Sequence, residues 1–280
     1  MEFALGRRLA AEFIGTALLV LFGPGSVVAA LTVGGGTLDY AALGFIGLSF
    51  GIVIAAVIYG FGAVSGAHIN PAVTFALAVT RRFPWVEVGP YVLAQLTGAA
   101  AGGLLIIAAF GTGAADLGGA GSTVLGADVS YASGIVAEAL GTFLLMFTIM
   151  AVAVDPRAAK GWAGLMIGLA VAGAIMVVGP LTGASLNPAR TFGPYLASAL
   201  FGDGPPWEQL PLYIVGPLLG AAAAALVYDL VARPRQVGVA TPAETGAPAG
   251  TETPAESGPP PESSAPPQRP PVQSTRTGKE

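Results

Sequence analysis

The chain contains no cysteine and a single histidine among 280 residues. Without cysteine it has no disulfide, no thiolate metal ligand, no thiol nucleophile and nothing for a mercurial to attack, and its redox compartment is left open. One histidine, His68, can build neither a metal centre nor a nucleophilic triad. No phosphate-cradling loop is present either, so the chain is read as a non-enzyme with no cofactor and no metal. Charge is scarce as well. Lys, Arg, Asp and Glu make up 10% of the residues, against about 25% in an ordinary soluble domain. The formal net charge of −4 offers nucleic acid no electrostatic footing. Hydrophobic residues, at 54%, fill the space that charge leaves. A bilayer solvent accounts for this balance, because ionised side chains are costly in hydrocarbon while helices satisfy their own backbone.

Crossing about 30 Å of hydrocarbon takes about 20 apolar residues. Six stretches qualify: about 9–32, 41–63, 85–110, 131–154, 161–180 and 208–232. Arg7 and Arg8 before the first stretch resemble the start of a secretory leader. The run that follows, however, outlasts the roughly 7–15 residues of a leader core, so it is read as a retained span. Two shorter segments, Ser65 to Thr80 and Thr182 to Leu200, each hold a Gly-containing lead-in, an Asn-Pro-Ala and two or three apolar helical turns. Ten helical residues cover only about 15 Å, half the hydrocarbon. Both are expected to enter the membrane and return on the same side.

Charge sorting agrees with two re-entrant segments. With both returning, Arg7, Arg8, Arg81, Arg82, Arg157, Lys160, Arg233 and Arg235 share one face, while Asp39, Asp116, Asp128, Asp203 and Glu208 share the other. The positive-inside rule then puts both termini in the cytoplasm of a multi-pass protein of the cell (plasma or inner) membrane. Residues 233–280 differ in kind: from Pro234 onward eleven prolines alternate with Ser, Thr, Glu and Ala. Such a segment buries too little apolar surface to offset its ordering entropy and is read as a disordered cytoplasmic tail, with a Pro-rich docking segment as the alternative. Residues 1–232 form the membrane domain.

That domain repeats itself. Ala11-Glu12-Phe13-Ile14-Gly15-Thr16 matches Ala137-Glu138-Ala139-Leu140-Gly141-Thr142, and Gly66-Ala67-His68-Ile69-Asn70-Pro71-Ala72 matches Gly183-Ala184-Ser185-Leu186-Asn187-Pro188-Ala189. The copies, about 9–110 and 131–232, each hold three spans and a half-span. Three crossings invert the second copy, an arrangement that puts the functional site near the midplane between interrupted helices. Pro71 and Pro188 suit the first helical position, and Asn70 and Asn187 suit the N-cap, each side-chain oxygen taking an orphan N–H. Both amide NH₂ groups are then expected to be free to donate into a lumen. There the positive tips of two helices, each worth about +0.5 charge, would also repel cations.

Arg190, in an otherwise apolar segment, is read as a lumen-facing donor and cation barrier. Its alternative is a guanidinium held by carbonyls for stability alone. Glu12 and Glu138 are read as buried acceptors for amides of the re-entrant loops, in preference to proton coupling. His68 is read as packing in the vestibule, with a pH-sensitive gate as the other possibility.

The paired Asn-Pro-Ala triplets, the two Glu repeats and the run Asn187-Pro188-Ala189-Arg190 resemble the aquaporin, or major intrinsic protein, family over about residues 9–232, in a prokaryotic-type form. The resemblance implies an all-α right-handed bundle of six transmembrane helices and two half-helices. It further implies one pore per subunit, a homotetramer, and passage of water and small neutral solutes across the lipid bilayer without ions or protons. It also assigns Phe50, Ile175 and Ala184, with Arg190, to the outer constriction. Strict water pores typically have His where Ile175 stands, and typical glycerol facilitators an Asp where Thr191 follows Arg190. The expectation is therefore a wider, greasier pore, conducting water and, more slowly, glycerol. A glycerol or metalloid facilitator is the runner-up; a secondary transporter is the competitor from another class.

Overall fold

The computed structural model describes residues 3–232, so the tail expected at 233–280 lies outside the described residues. Among the described residues, six helices are long and apolar enough to cross a membrane. They are α1 (Leu5–Val33), α2 (Tyr40–Ser65), α4 (Trp85–Phe110), α6 (Tyr131–Ile149), α7 (Ala163–Thr182) and α9 (Leu210–Ala232). Between them lie the half-helices α3 (Pro71–Val79) and α8 (Pro188–Phe201), and a short turn of helix, α5 (Gly113–Asp116). Helix α6 ends in a π-helical turn, Met150–Val154, which the sequence did not announce.

Local chemistry sets the boundaries. Asp39 caps α2 by accepting from the Ala42 amide, and Ser130 caps α6 by accepting from that of Ser133. Gly66 and Gly183, at φ 88° and 76°, end α2 and α7 in the left-handed conformation that only glycine enters freely. The half-helices are unequal. Nine residues of α3 reach about 13 Å, whereas the 14 of α8 reach about 21 Å, longer than the two or three turns expected. The helix runs on through Gly193 and Pro194 and ends at Gly202, whose amide donates to the Ser198 carbonyl.

The packing follows the repeat: α1 lies on α4 as α6 lies on α9, and α2 lies on its counterpart α7. Lipid supplies no hydrophobic drive, so small residues let the backbones close up. A Cβ on Gly98 would overlap the Phe13 carbonyl, and one on Gly220 the carbonyl of Ala139, the repeat-related residue. Gly51 and Gly168 face each other across α2 and α7 in the same way. Large apolar side chains such as Phe45, Val86, Leu140 and Leu230 point outward and are mostly exposed, as lipid-facing positions should be. The half-helices sit inside this ring, where α3 packs on α4 and α9, and α8 on α4 and α1.

Candidate functional site

Before each Asn-Pro-Ala the backbone turns left-handed at residues that are not glycine: Ala67 and Ile69 in the first loop (φ 46° and 42°), Ala184 and Leu186 in the second (47° and 56°). Each such residue costs about 1–2 kcal/mol and must be held by its surroundings. A buried carboxylate does so in both repeats. Glu12 Oε1 accepts from Ser65 Oγ (2.7 Å) and the His68 amide (2.9 Å), and Oε2 from the Ile69 amide (2.7 Å). Glu138 Oε1 accepts from Thr182 Oγ1 (2.6 Å) and the Ser185 amide (2.8 Å), and Oε2 from the Leu186 amide (2.7 Å). Both carboxylates are fully buried. Unpaired loop amides would cost several kcal/mol in this setting, and the carboxylates remove that cost while fixing the turn.

The two loops are tied to one another at the asparagines. Asn70 Oδ1 accepts from the Ala72 amide, and Asn187 Oδ1 from those of Ala189 and Arg190. Asn70 Nδ2 then donates to the Leu186 carbonyl, and Asn187 Nδ2 to that of Ile69, each at 2.8 Å. This corrects the expectation of two wholly free NH₂ groups. An amide nitrogen has two hydrogens. One on each asparagine is spent across the repeat, leaving one, and the crossed pair fixes the direction of both.

A cavity of about 330 Å³ runs past this point. Arg190 belongs to its lining beyond one side of the asparagines, and Arg82 beyond the other. One wall is polar, formed by the loop 66–70, Ser185, Asn187 and Arg190. The facing wall is apolar and comes from α2, α6 and α7: Phe50, Ile54, Leu145, Ile149, Ile167 and Val171. Helices α3 and α8 both start at the crossed asparagines and turn their positive ends to the lumen. Pro71, Pro188, Ala72 and Ala189 are buried in the first turns behind them.

Arg190 is 2% exposed. Its Nη1 donates to the Gly121 carbonyl at 2.8 Å, and its Cζ lies 5.2 Å from the centre of the Phe50 ring. Gly121, at φ 82°, presses against the Pro24 carbonyl where any Cβ would overlap, so only glycine can bring that carbonyl to Arg190. The loop carrying it is anchored by Tyr195 Oη, which donates to the Thr123 carbonyl, and by a hydroxyl contact of 3.0 Å between Thr123 and Thr191. Phe50 and Arg190 are thus brought together. Ile175 and Ala184 are buried (3% and 2%) but lie outside the lining of this cavity, and their place at a constriction rests on the resemblance. His68 lines the cavity, with its ring against Phe83 and Tyr91 and its Nδ1 3.1 Å from Thr74 Oγ1.

Sequence reasoning passed over several supporting residues. Gln95 Nε2 donates to Glu12 Oε2 (2.8 Å) and to Thr74 Oγ1 (3.0 Å). Tyr91 Oη donates to the Ser65 carbonyl, and Tyr213 Oη, its repeat mate, to the Thr182 carbonyl. An amide in the middle of an apolar span is a signal in itself, and Gln95 could have been found that way. The Gly121 carbonyl could not, since a backbone acceptor leaves no mark in the sequence.

Comparison with known proteins agrees with this architecture. The family model described as Major intrinsic protein matches residues 2–228. A probable aquaporin AqpM of Archaeoglobus fulgidus is 49% identical over 246 residues, covering 83% of this chain and 100% of that protein. A putative aquaporin NIP4-1 of Arabidopsis thaliana is 38% identical over 235 residues, covering 81% of this chain and 75% of its own length. Among solved structures, an aquaglyceroporin from Plasmodium falciparum superposes with a TM-score of 0.74 at 24% identity, covering 82% of this chain and 98% of that one, a likeness of fold. With its family model matched almost from end to end of the described helices, this chain belongs to the major intrinsic protein family.

Proposed function

We propose that the chain is a passive pore through which water passes in single file, glycerol-sized neutral solutes follow more slowly, and ions and protons are held back. The crossed asparagine amides carry this reading. With one N–H each left over and pointing into the lumen, Asn70 and Asn187 donate to the same passing oxygen. A water that accepts from both turns its own hydrogens along the file in opposite directions, so the proton relay breaks at that molecule. A cation there meets two helix tips and loses hydration against an apolar wall. Arg190 adds a fixed positive charge, and its buried Nε, without a partner among the described residues, is a donor that a neutral solute can use. An unmet buried donor costs about 1–3 kcal/mol, so each solute hydroxyl that accepts from it recovers part of that cost.

Ile175 and Ala184 favour the glycerol or metalloid facilitator as the second reading, because neither side chain adds a polar group to the constriction that the resemblance assigns them to. A secondary transporter would need a titratable group beside the asparagines, yet both carboxylates at that depth are engaged by loop amides. In this reading residues 1–232 are the channel unit, both termini are cytoplasmic in a cell membrane, and the subunits assemble as a homotetramer with one pore each.

Stopped-flow light scattering on proteoliposomes tests the proposal. Water efflux should run well above that of protein-free vesicles, with glycerol slower but still above lipid and no ionic current. Glycerol flux equal to that of bare lipid would remove the wider-pore claim. Saturable uptake that depends on a counter-ion would favour the transporter.

A further inference from the structure

The cavity does not end at the asparagines. On the side of the chain ends, its lining includes Arg82, which follows the first half-helix, and facing it Ala153 and Val154 of the π-turn that closes α6. A π-turn sets the backbone out by one residue and often marks a functional site. Here it carries α6 over the end of the lumen before the Asp155 amide closes back onto the Met150 carbonyl.

Both lips of this mouth are fastened to the same stretch of α9. Arg82 makes a two-pronged pair with Asp229, Nη1 to Oδ2 at 2.8 Å and Nη2 to Oδ1 at 2.6 Å, and its Nη1 also reaches the Thr80 carbonyl. On the other lip, Tyr228 Oη donates to Asp155 Oδ2 at 2.8 Å, Arg157 pairs with Asp155, and Arg157 Nη2 donates to the Ala232 carbonyl at 2.7 Å. Residues 228, 229 and 232 of one helix end therefore position two elements that are distant in sequence. The bond to Asp229 also raises the pKa of Arg82, so its charge is permanent. Side chains of both partners keep about a fifth of their exposure (21% and 22%), too little for free rotation and enough to meet solutes. A fork–fork pair of this kind fixes the plane of a guanidinium as well as its position.

We propose that Arg82 is a second permeation-determining residue, a cationic lip at the inner mouth that Asp229 holds flat against the wall. This rests on the channel reading above. In that arrangement the lumen carries one buried guanidinium at its outer end, Arg190, and one half-buried guanidinium at its inner end. A neutral solute meets hydrogen-bond donors on entering and on leaving. Asp229 is a positioning residue. When its carboxylate is removed, the long Arg82 side chain is free to swing across the mouth.

The absence of cysteine makes a clean test available, because any introduced thiol is the only one. Water permeability of proteoliposomes is measured for the parent chain, R82C and A153C, before and after a bulky thiol reagent, with labelling followed by intact mass. D229N and D229E are measured alongside. Labelling of the R82C or the A153C variant should lower its water permeability by at least about threefold, as a blocked constriction does, and the reagent should leave the cysteine-free parent unchanged. D229N should conduct less than the parent, and D229E, which keeps the pair, should recover most of that loss. A153C probes the opposite lip with the Arg82–Asp229 pair intact, so a folding defect in R82C leaves the test standing. Full labelling of A153C without loss of flux, or D229N equal to the parent, would overturn the proposal. A parent chain no faster than empty vesicles would instead remove the channel reading itself.

Discussion

The two re-entrant loops are alike in what holds their backbones and different in what their side chains offer the lumen. Glu12 and Glu138 each accept from a hydroxyl and two successive amides at nearly equal distances. Tyr91 and Tyr213 brace matching carbonyls. Around this shared frame, His68 corresponds to Ser185 and Val73 to Arg190. The frame is duplicated because a left-handed loop inside a membrane has few ways to satisfy its donors. The lumen-facing positions diverge because the loop frame does not require them to match.

The severest way to break the symmetry is to remove one carboxylate. Glu138→Ala strands the Ser185 and Leu186 amides and the Thr182 hydroxyl, at about 1–3 kcal/mol for each buried donor left unpaired. Loss of the folded channel is expected, read as a collapse of thermal stability in detergent and of water flux. Glu12→Ala should be as damaging, and a tolerated substitution in one repeat alone would show that the two cradles are not equivalent.

A smaller effect should follow from making the second loop resemble the first. Arg190→Val places there the residue found at Val73 and deletes the outer charge while the carboxylate cradle stays intact. Water flux should persist, and glycerol flux and cation leak should rise several-fold. If selectivity were unchanged, Arg190 would be a structural residue held by the Gly121 carbonyl and nothing more.

The smallest expected effect concerns pH. Asp155 is held well below the usual carboxylate range, chiefly by its side-chain bond to Arg157, with the Arg157 amide and Tyr228 adding to it. A depressed folded-state pKa contributes stability that is present above the unfolded value, about 4, and is lost only as pH falls through the folded value. The cluster on the inner lip therefore stays intact throughout the neutral and mildly acidic range. Water permeability should be level between about pH 5 and pH 8, the window in which an unperturbed histidine titrates. A step in that window would assign a gate to His68 and separate the first loop from the second, which has serine at that position.

Much of the frame was legible in the sequence, because bilayer physics writes it in composition. Six apolar runs, two half-length segments, and the isolated Glu12, Glu138 and Arg190 stand out against hydrocarbon. The loop charges sort into a basic face and an acidic face. Less visible were features carried by backbone or by small residues. The Gly121 carbonyl and the π-turn at Met150–Val154 have no side-chain signature. The Arg82–Asp229 pair joins residues 147 positions apart, and charge sorting alone could say only that Arg82 sat on the basic face. Phe50, Ile175 and Ala184 came from resemblance, since an apolar residue lining a lumen and one packing a helix look the same in a sequence.

The exchange of hydrogen bonds between Asn70 and Leu186, and between Asn187 and Ile69, means that neither half of the molecule can be finished on its own. Each supplies the acceptor that the other's asparagine requires, like two hands clasped at the fingertips. A chain built by duplication in this way cannot retune one half freely, because a shift in either loop misaligns the amide of its twin.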